Sequence, residues 1–207
     1  MFDAHAHHGN IEFKNAFVCT SSIPSIDEAM ILKSYSFFAI GHLSSSKLDK
    51  LDNVDTLISS GFHLGEVGLD RRFDDIERQI KDLNCLLDIS TGYNRCTVFH
   101  SVGHVEKLLE IIKERKIKKF IFHGFTGSYE IAKRIIALGG LISINSRAIK
   151  TKSFEKIITL PFVTESDMLT GKDQIDSLRL FNDKLSSMLE RDVESLSEKY
   201  FLGYMNG

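Results

Sequence analysis

Histidines and carboxylates of this chain lie where short apolar runs end. They form the clusters Asp3-Ala-His5-Ala-His7, Gly65-Glu66, Phe99-His100, Phe122-His123 and Thr164-Glu165-Ser166-Asp167. Alternate side chains of a strand point the same way, so His5 and His7 can reach one metal ion together. Imidazole nitrogen and carboxylate oxygen suit Zn, Mn or Mg, and a carboxylate such as Glu66 can bridge two ions. Two such ions polarise a phosphoryl or acyl oxygen and lower the pKa of a bound water, which is hydrolytic chemistry.

Each of these residues taken singly also has a structural explanation. His100 and His123 could be hydrogen-bonded core histidines, and Glu66 or Asp167 could be surface charges at strand ends. Together they are hard to explain as packing, because a buried charge is costly unless it is paired or bound to metal. The sequence therefore predicts a metal site, with these ligands: His5, His7, Glu66, His100, His123 and Asp167.

Other polar residues are predicted to surround this site. Arg71 and Arg72 directly follow the fourth apolar run, where they could hold a substrate phosphate. His42 ends the third run and His104 follows the fifth, so both are predicted to line the substrate pocket. His63 lies near the start of its run, towards the opposite face, and is interpreted as structural.

Eight apolar, β-rich runs are separated mostly by segments with helical periodicity. The runs cover about 2–6, 15–20, 36–41, 62–68, 96–100, 119–123, 140–145 and 160–165. This alternation predicts an α/β fold with a parallel sheet, and eight repeats favour closure into a TIM-type (β/α) barrel over a doubly wound open sheet. In such a barrel the strand ends that carry the polar clusters converge on one face.

The first connection departs from the ideal barrel. A parallel crossover normally needs about a dozen residues, yet only residues 8–14 separate the first two runs. We therefore expect the first helix to be missing and the barrel to be irregular there. Only Pro24 and Pro161 interrupt the chain, and no Gly/Ser-rich linker divides it, so residues 1–207 are predicted to form a single domain.

Composition limits the partners that can be expected. Lys and Arg total 26 against 28 Asp and Glu, so contact with phosphate must be local. Cys19, Cys85 and Cys96 show no CxxC spacing, which favours free thiols in a reducing compartment. Neither a signal peptide nor an apolar run of about 18 residues is visible. The sequence therefore predicts a cytoplasmic protein without membrane contact, either a monomer or a small homo-oligomer.

Six motifs give the chain a family resemblance over nearly its whole length. They are FDAHAHH at 2–8, GHL at 41–43, GEVGLD at 65–70, FHS at 99–101, FHGFTGS at 122–128 and TESD at 164–167. With these motifs the chain resembles the TatD family of metal-dependent deoxyribonucleases, within the amidohydrolase-like barrel superfamily.

The resemblance implies a role for each ligand and a reaction. His5 and His7 would bind one divalent ion, Glu66 would bridge, and His100 and His123 would complete the shell of a second. Asp167 would bind metal and act as general base on the attacking water. The implied reaction is phosphodiester hydrolysis, trimming single-stranded DNA from the 3′ end, while family members that act on D-aminoacyl-tRNA keep ester hydrolysis open.

Some positions depart from the family pattern and bear on the substrate. His100-Ser101-Val102 stands where the family usually has HxR, and His42-Leu43 stands where it usually has His-Pro. Two alternatives to a deoxyribonuclease follow. One is a hydrolase of a small phosphoester or aminoacyl ester, and the other is a catalytically weakened subunit that binds a partner protein at the barrel edge near residues 8–20.

Overall fold

The computed structural model describes residues 1–10, 12–43 and 48–207, and its centre is a parallel sheet with strand order β1 to β8. The strands are β1 (Asp3–His7), β2 (Ala16–Cys19), β3 (Phe37–His42), β4 (His63–Asp70), β5 (Thr97–Val102), β6 (Phe120–Phe122), β7 (Leu141–Ile144) and β8 (Val163–Thr164). All eight overlap the apolar runs, so the predicted strands are confirmed.

Helices follow the strands from β2 onward and cover the outside of the sheet. They are α1 (Ile26–Leu32), α2 (Leu51–Ser59), α3 (Ile76–Ser90), α4 (Val105–Arg115), α5 (Tyr129–Ala137), α6 (Phe154–Ile157), α7 (Lys172–Leu189) and α8 (Val193–Asn206), with a 3-10 helix over Ser146–Lys150. Their buried faces carry the predicted helical spacing, as in α4 with Leu108, Leu109 and Ile112. No helix of the described chain is long and apolar enough to cross a membrane.

Backbone hydrogen bonds join β1 to the segment that follows β8. The Asp167 amide donates to the His5 carbonyl at 3.0 Å, and the His7 amide donates to the Met168 carbonyl at 2.8 Å. The Thr170 amide then donates to the His7 carbonyl at 2.9 Å. These contacts bring the sheet round on itself, so the barrel prediction is confirmed over the open-sheet alternative.

The described residues of the first βα connection form no helix, as predicted. Residues 8–10 and 12–15, the described part of the connection from β1 to β2, contain no helix. The β1–β2 pairing is also irregular, with a register shift between Asp3 and Ala6.

Aromatic rings fill the N-terminal end of the barrel. The ring of Phe201, from α8, lies 4.4 Å from the ring of Phe2 and 5.7 Å from that of Phe17. The His63 ring contacts the same group, at 5.5 Å from Phe17, and its Nδ1 accepts a hydrogen bond from the Cys96 amide at 3.0 Å. This end is therefore packed with apolar side chains, and His63 belongs to that packing.

The stability of the protein should depend on pH through His63. Burial, with the charges of Arg95 and Lys119, lowers the pKa of His63 to about 4. The pKa of His63 is lower in the folded than in the unfolded protein, so neutral His63 contributes to the free energy of unfolding. This contribution is complete above about pH 6.5 and is lost as the pH falls through 4. We expect His63→Gln to flatten this dependence by about 2–3 kcal/mol, measured as urea unfolding free energies at pH 7.5 and 4.5. Equal pH dependence in the two proteins would contradict this role.

Gly41 permits β3 to approach β4 beside Glu66. A Cβ atom at position 41 would lie 2.3 Å from both the amide nitrogen and the carbonyl oxygen of Glu66. Since backbone atoms cannot yield as a flexible side chain would, we expect Gly41→Ala to cost about 1–3 kcal/mol of stability or more and to displace Glu66. Gly92→Ala is the matched control, because nothing lies within 4 Å of its Cβ position. Similar unfolding free energies for the two variants would refute this.

Candidate metal centre

The six predicted ligands come together at the C-terminal end of the barrel. His5 and His7 lie on β1, Glu66 on β4 and His100 on β5, while His123 directly follows β6 and Asp167 follows β8. One expectation is wrong: Glu66 and His100 do not end their strands. The ladder continues past them through the pairs Gly68 with His100 and Asp70 with Val102.

Glu66 stands between two pairs of histidines. Its Oε1 lies 2.7 Å from His100 Nδ1 and 2.6 Å from His123 Nε2. Its Oε2 lies 3.8 Å from His5 Nε2 and 3.9 Å from His7 Nε2. The two carboxylate oxygens therefore face different imidazoles, which is the arrangement required of a bridging ligand.

Asp167 approaches the same β1 histidines from the other side. Its Oδ1 lies 3.3 Å from His7 Nε2 and 3.6 Å from His5 Nε2. Its Oδ2 accepts a hydrogen bond from the guanidinium of Arg147. Asp167 is 17% exposed, whereas Glu66 is 4% exposed, so Asp167 is the carboxylate of the pair that solvent can reach.

The donor set fits divalent cations. Three groups of potential ligand atoms each lie within 4.8 Å of one another: His5 with His7 and Asp167, His5 with Glu66 and His123, and His123 with Glu165 and Asp167. His5 is fully buried, and neither of its ring nitrogens has a hydrogen-bond partner within the described chain. A buried imidazole without partners is costly, and coordination of a cation would satisfy it.

The pKa values of the cluster also favour a bound cation. Burial alone would raise the pKa of Glu66, but His123 and His100 hold it well below its ordinary value. Burial also opposes the charge on His123, yet Glu66 and Glu165 raise the pKa of His123 well above its usual value. His5 differs: burial and the charge of His123 lower its pKa to about 4. The buried carboxylates therefore require a positive charge beside them, which a divalent ion supplies in place of a proton.

Two carboxylates outside the predicted ligand set lie beside its histidines, and one of them is within hydrogen-bond distance. Asp70 Oδ2 lies 2.9 Å from His100 Nε2, while the other ring nitrogen, Nδ1, faces Glu66. Glu165 lies 3.8 Å from His123 Nδ1 and accepts hydrogen bonds from the Gly124 amide at 2.8 Å and from Asn145 at 2.9 Å. The contact with Asp70 therefore fixes the orientation of the His100 ring.

A cleft of about 460 Å³ opens onto the cluster, and it receives only some of the residues predicted to bind substrate. Arg72 lines the cleft and forms an ion pair with Asp70. Arg71 lies beside Gly103, His42 is buried at the end of β3, and His104 directly precedes α4. These three are not among the described residues of the cleft wall, so their substrate contacts stay predictions.

Arg147 is a residue of the cleft that the sequence reasoning missed. It lies in the 3-10 helix after β7, and the spacing of the β-rich runs does not single it out. Glu165 could have been found, because it stands two residues before Asp167 in the same strand-end motif. Asp70 could also have been found, as the polar residue that ends the longest strand.

An eight-stranded β/α barrel with imidazole and carboxylate donors converging at its C-terminal end is the arrangement of a metal-dependent hydrolase. Comparison with known proteins identifies the family. The model of the TatD related DNase family matches residues 27–176 of the 207. The chain therefore belongs to the TatD family.

Individual relatives agree with this assignment. The chain is 25% identical over 173 residues to "Uncharacterized metal-dependent hydrolase MJ1582" of Methanocaldococcus jannaschii, covering 76% of this chain and 69% of that protein. It is 31% identical over 142 residues to "Putative deoxyribonuclease TATDN1 homolog" of Encephalitozoon cuniculi, covering 66% of this chain and 50% of that protein. The match thus spans half the length of the second relative.

Solved structures share the fold at lower identity. The TatD homologue YJJV of Escherichia coli superimposes with a TM-score of 0.81 at 20% identity, over 99% of this chain and 95% of that one. A TatD family hydrolase of Entamoeba histolytica gives a TM-score of 0.75 at 16% identity, over 100% and 97% of the two chains. These likenesses confirm the barrel over the whole chain.

Proposed function

We propose that this chain hydrolyses phosphodiester bonds of single-stranded DNA from the 3′ end, with two divalent ions, Zn, Mg or Mn, at the site. The supporting observation is the position of Glu66, whose two oxygens face two separate pairs of histidines. The family and the name of the microsporidian relative favour DNA as substrate. The 3′ polarity follows from the family resemblance.

The six ligands would serve two ions. His5, His7 and Asp167 would hold one ion, His100 and His123 the other, and Glu66 would bridge. When bound, such ions polarise a phosphoryl oxygen and lower the pKa of a nearby water. Asp70 holds the ring of His100 in orientation, and Glu165 places a negative charge 3.8 Å from His123 Nδ1.

Asp167 is suited to accept the proton of the attacking water. Burial would raise its pKa, but the hydrogen bond with His7 and the charges of His123 and His5 hold the pKa well below its ordinary value. The carboxylate is therefore ionised at neutral pH and faces the cleft. A general base must be unprotonated and accessible to the attacking water, and Asp167 is an ionised carboxylate that lines the cleft.

Removal and return of metal test this function. Protein treated with EDTA should release no mononucleotides from a 5′-labelled single-stranded oligonucleotide, and added Mg, Mn or Zn should restore release. Products shortened stepwise on a sequencing gel would show attack from the 3′ end. If the protein releases nucleotides equally well in EDTA, or releases none with any of the three ions, the proposal is wrong.

A second candidate is hydrolysis of a small phosphoester. Within the described part of the cleft wall the rings are all imidazoles, and no Phe or Tyr offers a face on which bases could stack. This function predicts metal-dependent cleavage of a chromogenic phosphodiester without release of nucleotides from oligonucleotides. The same pair of assays therefore separates it from the deoxyribonuclease.

A further inference from the structure

Arg147 is a cation fixed at the edge of the candidate metal centre by contacts with the protein. Its Nε donates to Asn145 Oδ1 at 3.2 Å, its backbone amide donates to the same oxygen at 3.1 Å, and its Nη2 donates to Asp167. Asn145 is itself buried and also donates to Glu165 at 2.9 Å. Asn145 therefore links the guanidinium of Arg147 to Glu165, the carboxylate that faces His123.

The guanidinium nevertheless keeps donors for a ligand. A guanidinium has five N–H donors, and its contacts with Asn145 and Asp167 use two of them. No other hydrogen bond of this side chain occurs in the described chain, and the side chain is 60% exposed. The free donors lie in the cleft, whose described wall contains Arg147 and Arg72 as its two permanent cations.

We infer that Arg147 binds a non-bridging oxygen of the substrate phosphate and thereby favours phosphate esters over carboxylic esters. This inference rests on the proposed function, and it adds a recognition residue that contacts substrate. A planar guanidinium matches a phosphate group in shape and charge. Because Asn145 and Asp167 already fix the guanidinium, little side-chain freedom is lost when the phosphate binds.

The geometry also places Arg147 next to the ligands His5, His7 and Asp167. Asp167 Oδ2 contacts Arg147 while its Oδ1 faces His5 and His7. A phosphate bound at these ligands would therefore lie near the guanidinium. Arg72 stands in the same relation to Asp70 and His100 after β4, so the two guanidiniums reach the cleft from two separate strand ends.

The test uses metal-loaded full-length protein and three variants. Arg147→Ala removes the cation, Arg147→Lys keeps the charge without the planar donor pair, and Lys150→Ala is the control that removes an exposed cation from the same 3-10 helix. The substrates are bis(4-nitrophenyl) phosphate and the uncharged 4-nitrophenyl acetate. Binding of inorganic phosphate is measured separately, by calorimetry and as a competitive inhibition constant.

For Arg147→Ala we expect KM for the phosphodiester and the dissociation constant of inorganic phosphate to rise about 10- to 100-fold. Arg147→Lys should lie between Arg147→Ala and wild type, and Lys150→Ala should stay at wild-type values. In the Arg147 variants, KM for the acetate ester, which offers no phosphate oxygen, should change far less than KM for the phosphodiester. A lower kcat on both substrates with unchanged phosphate affinity would overturn the inference, since Arg147 would then act only through Asp167. Equal phosphate affinity in Arg147→Ala and Lys150→Ala would also overturn it.

Failure of the inference can be told apart from failure of the proposed function. If wild type cleaves the phosphodiester and the variants bind phosphate as tightly as wild type, only the role of Arg147 is refuted. If wild type releases no nucleotides from the oligonucleotide, does not cleave the phosphodiester and does not bind phosphate with any divalent ion, both are refuted.

Discussion

Replacement of Asp167 by asparagine should lower kcat for phosphodiester hydrolysis by about 10²- to 10⁴-fold, the usual contribution of a general base. Asparagine has nearly the same shape, and its one side-chain oxygen can keep one of the two contacts of Asp167, with Arg147 or with the ion beside His5 and His7. The amide, however, cannot take a proton from water. The loss should therefore appear in the chemical step, which single-turnover kinetics on a labelled oligonucleotide would isolate.

Metal content and a matched variant complete this experiment. Asp167→Asn should keep part of its metal, measured by mass spectrometry, because an amide oxygen is a weaker ligand that still coordinates. Asp173→Asn, which changes an exposed carboxylate in the first turn of α7, should behave as wild type. Wild-type kcat in Asp167→Asn would remove this residue from the role of base.

The strands and the ligand cluster could be predicted because each rests on local sequence. Apolar runs mark the strands whatever their partners, and the alternation of His5 and His7 places both rings on one side of β1. Convergence of the ligands then followed from the barrel itself, since parallel strands present their C-terminal ends on one face. The missing first helix was likewise visible from the length of one connection.

The residues that orient the ligands depend on strand register, which the sequence does not show. Asp70 meets His100 because β4 extends to Asp70 and pairs there with Val102 of β5. Arg147 reaches Asp167 because Asn145 caps a 3-10 helix and turns the chain towards the cleft. Such contacts join residues 20 or 30 positions apart, and periodicity carries no information about them.

The loop residues around the substrate cleft were harder to predict than the ligands on the strands, for a related reason. Arg71 and Arg72 are neighbours in sequence, but they leave the end of β4 in different directions. Arg72 returns to Asp70 and the cleft, whereas Arg71 lies beside Gly103 in the next loop. Loop side chains follow the packing of each loop, and their positions cannot be read from strand ends.

The second large effect is expected from Glu66→Ala, because this one carboxylate serves both histidine pairs. Loss of Glu66 leaves His100 and His123 without the oxygen at 2.7 and 2.6 Å, and His5 and His7 without the oxygen at 3.8 and 3.9 Å. We therefore expect the metal content to fall at both positions, and hydrolysis to fall by at least about 10³-fold with the loss of metal-ion catalysis.

Thermal unfolding gives a readout of Glu66 that does not depend on activity. Ligand at about 100 times its Kd stabilises the folded state by about 2.7 kcal/mol, which raises the Tm of a chain of this size by about 5–10 °C. Saturating metal should therefore raise the Tm of wild type and of Glu155→Ala, an exposed carboxylate in α6, by this amount. It should raise the Tm of Glu66→Ala by less than about 2 °C. A full metal-induced rise in Glu66→Ala would show that the two histidine pairs bind metal without a bridging carboxylate, and the two-ion proposal would then lose the observation on which it rests.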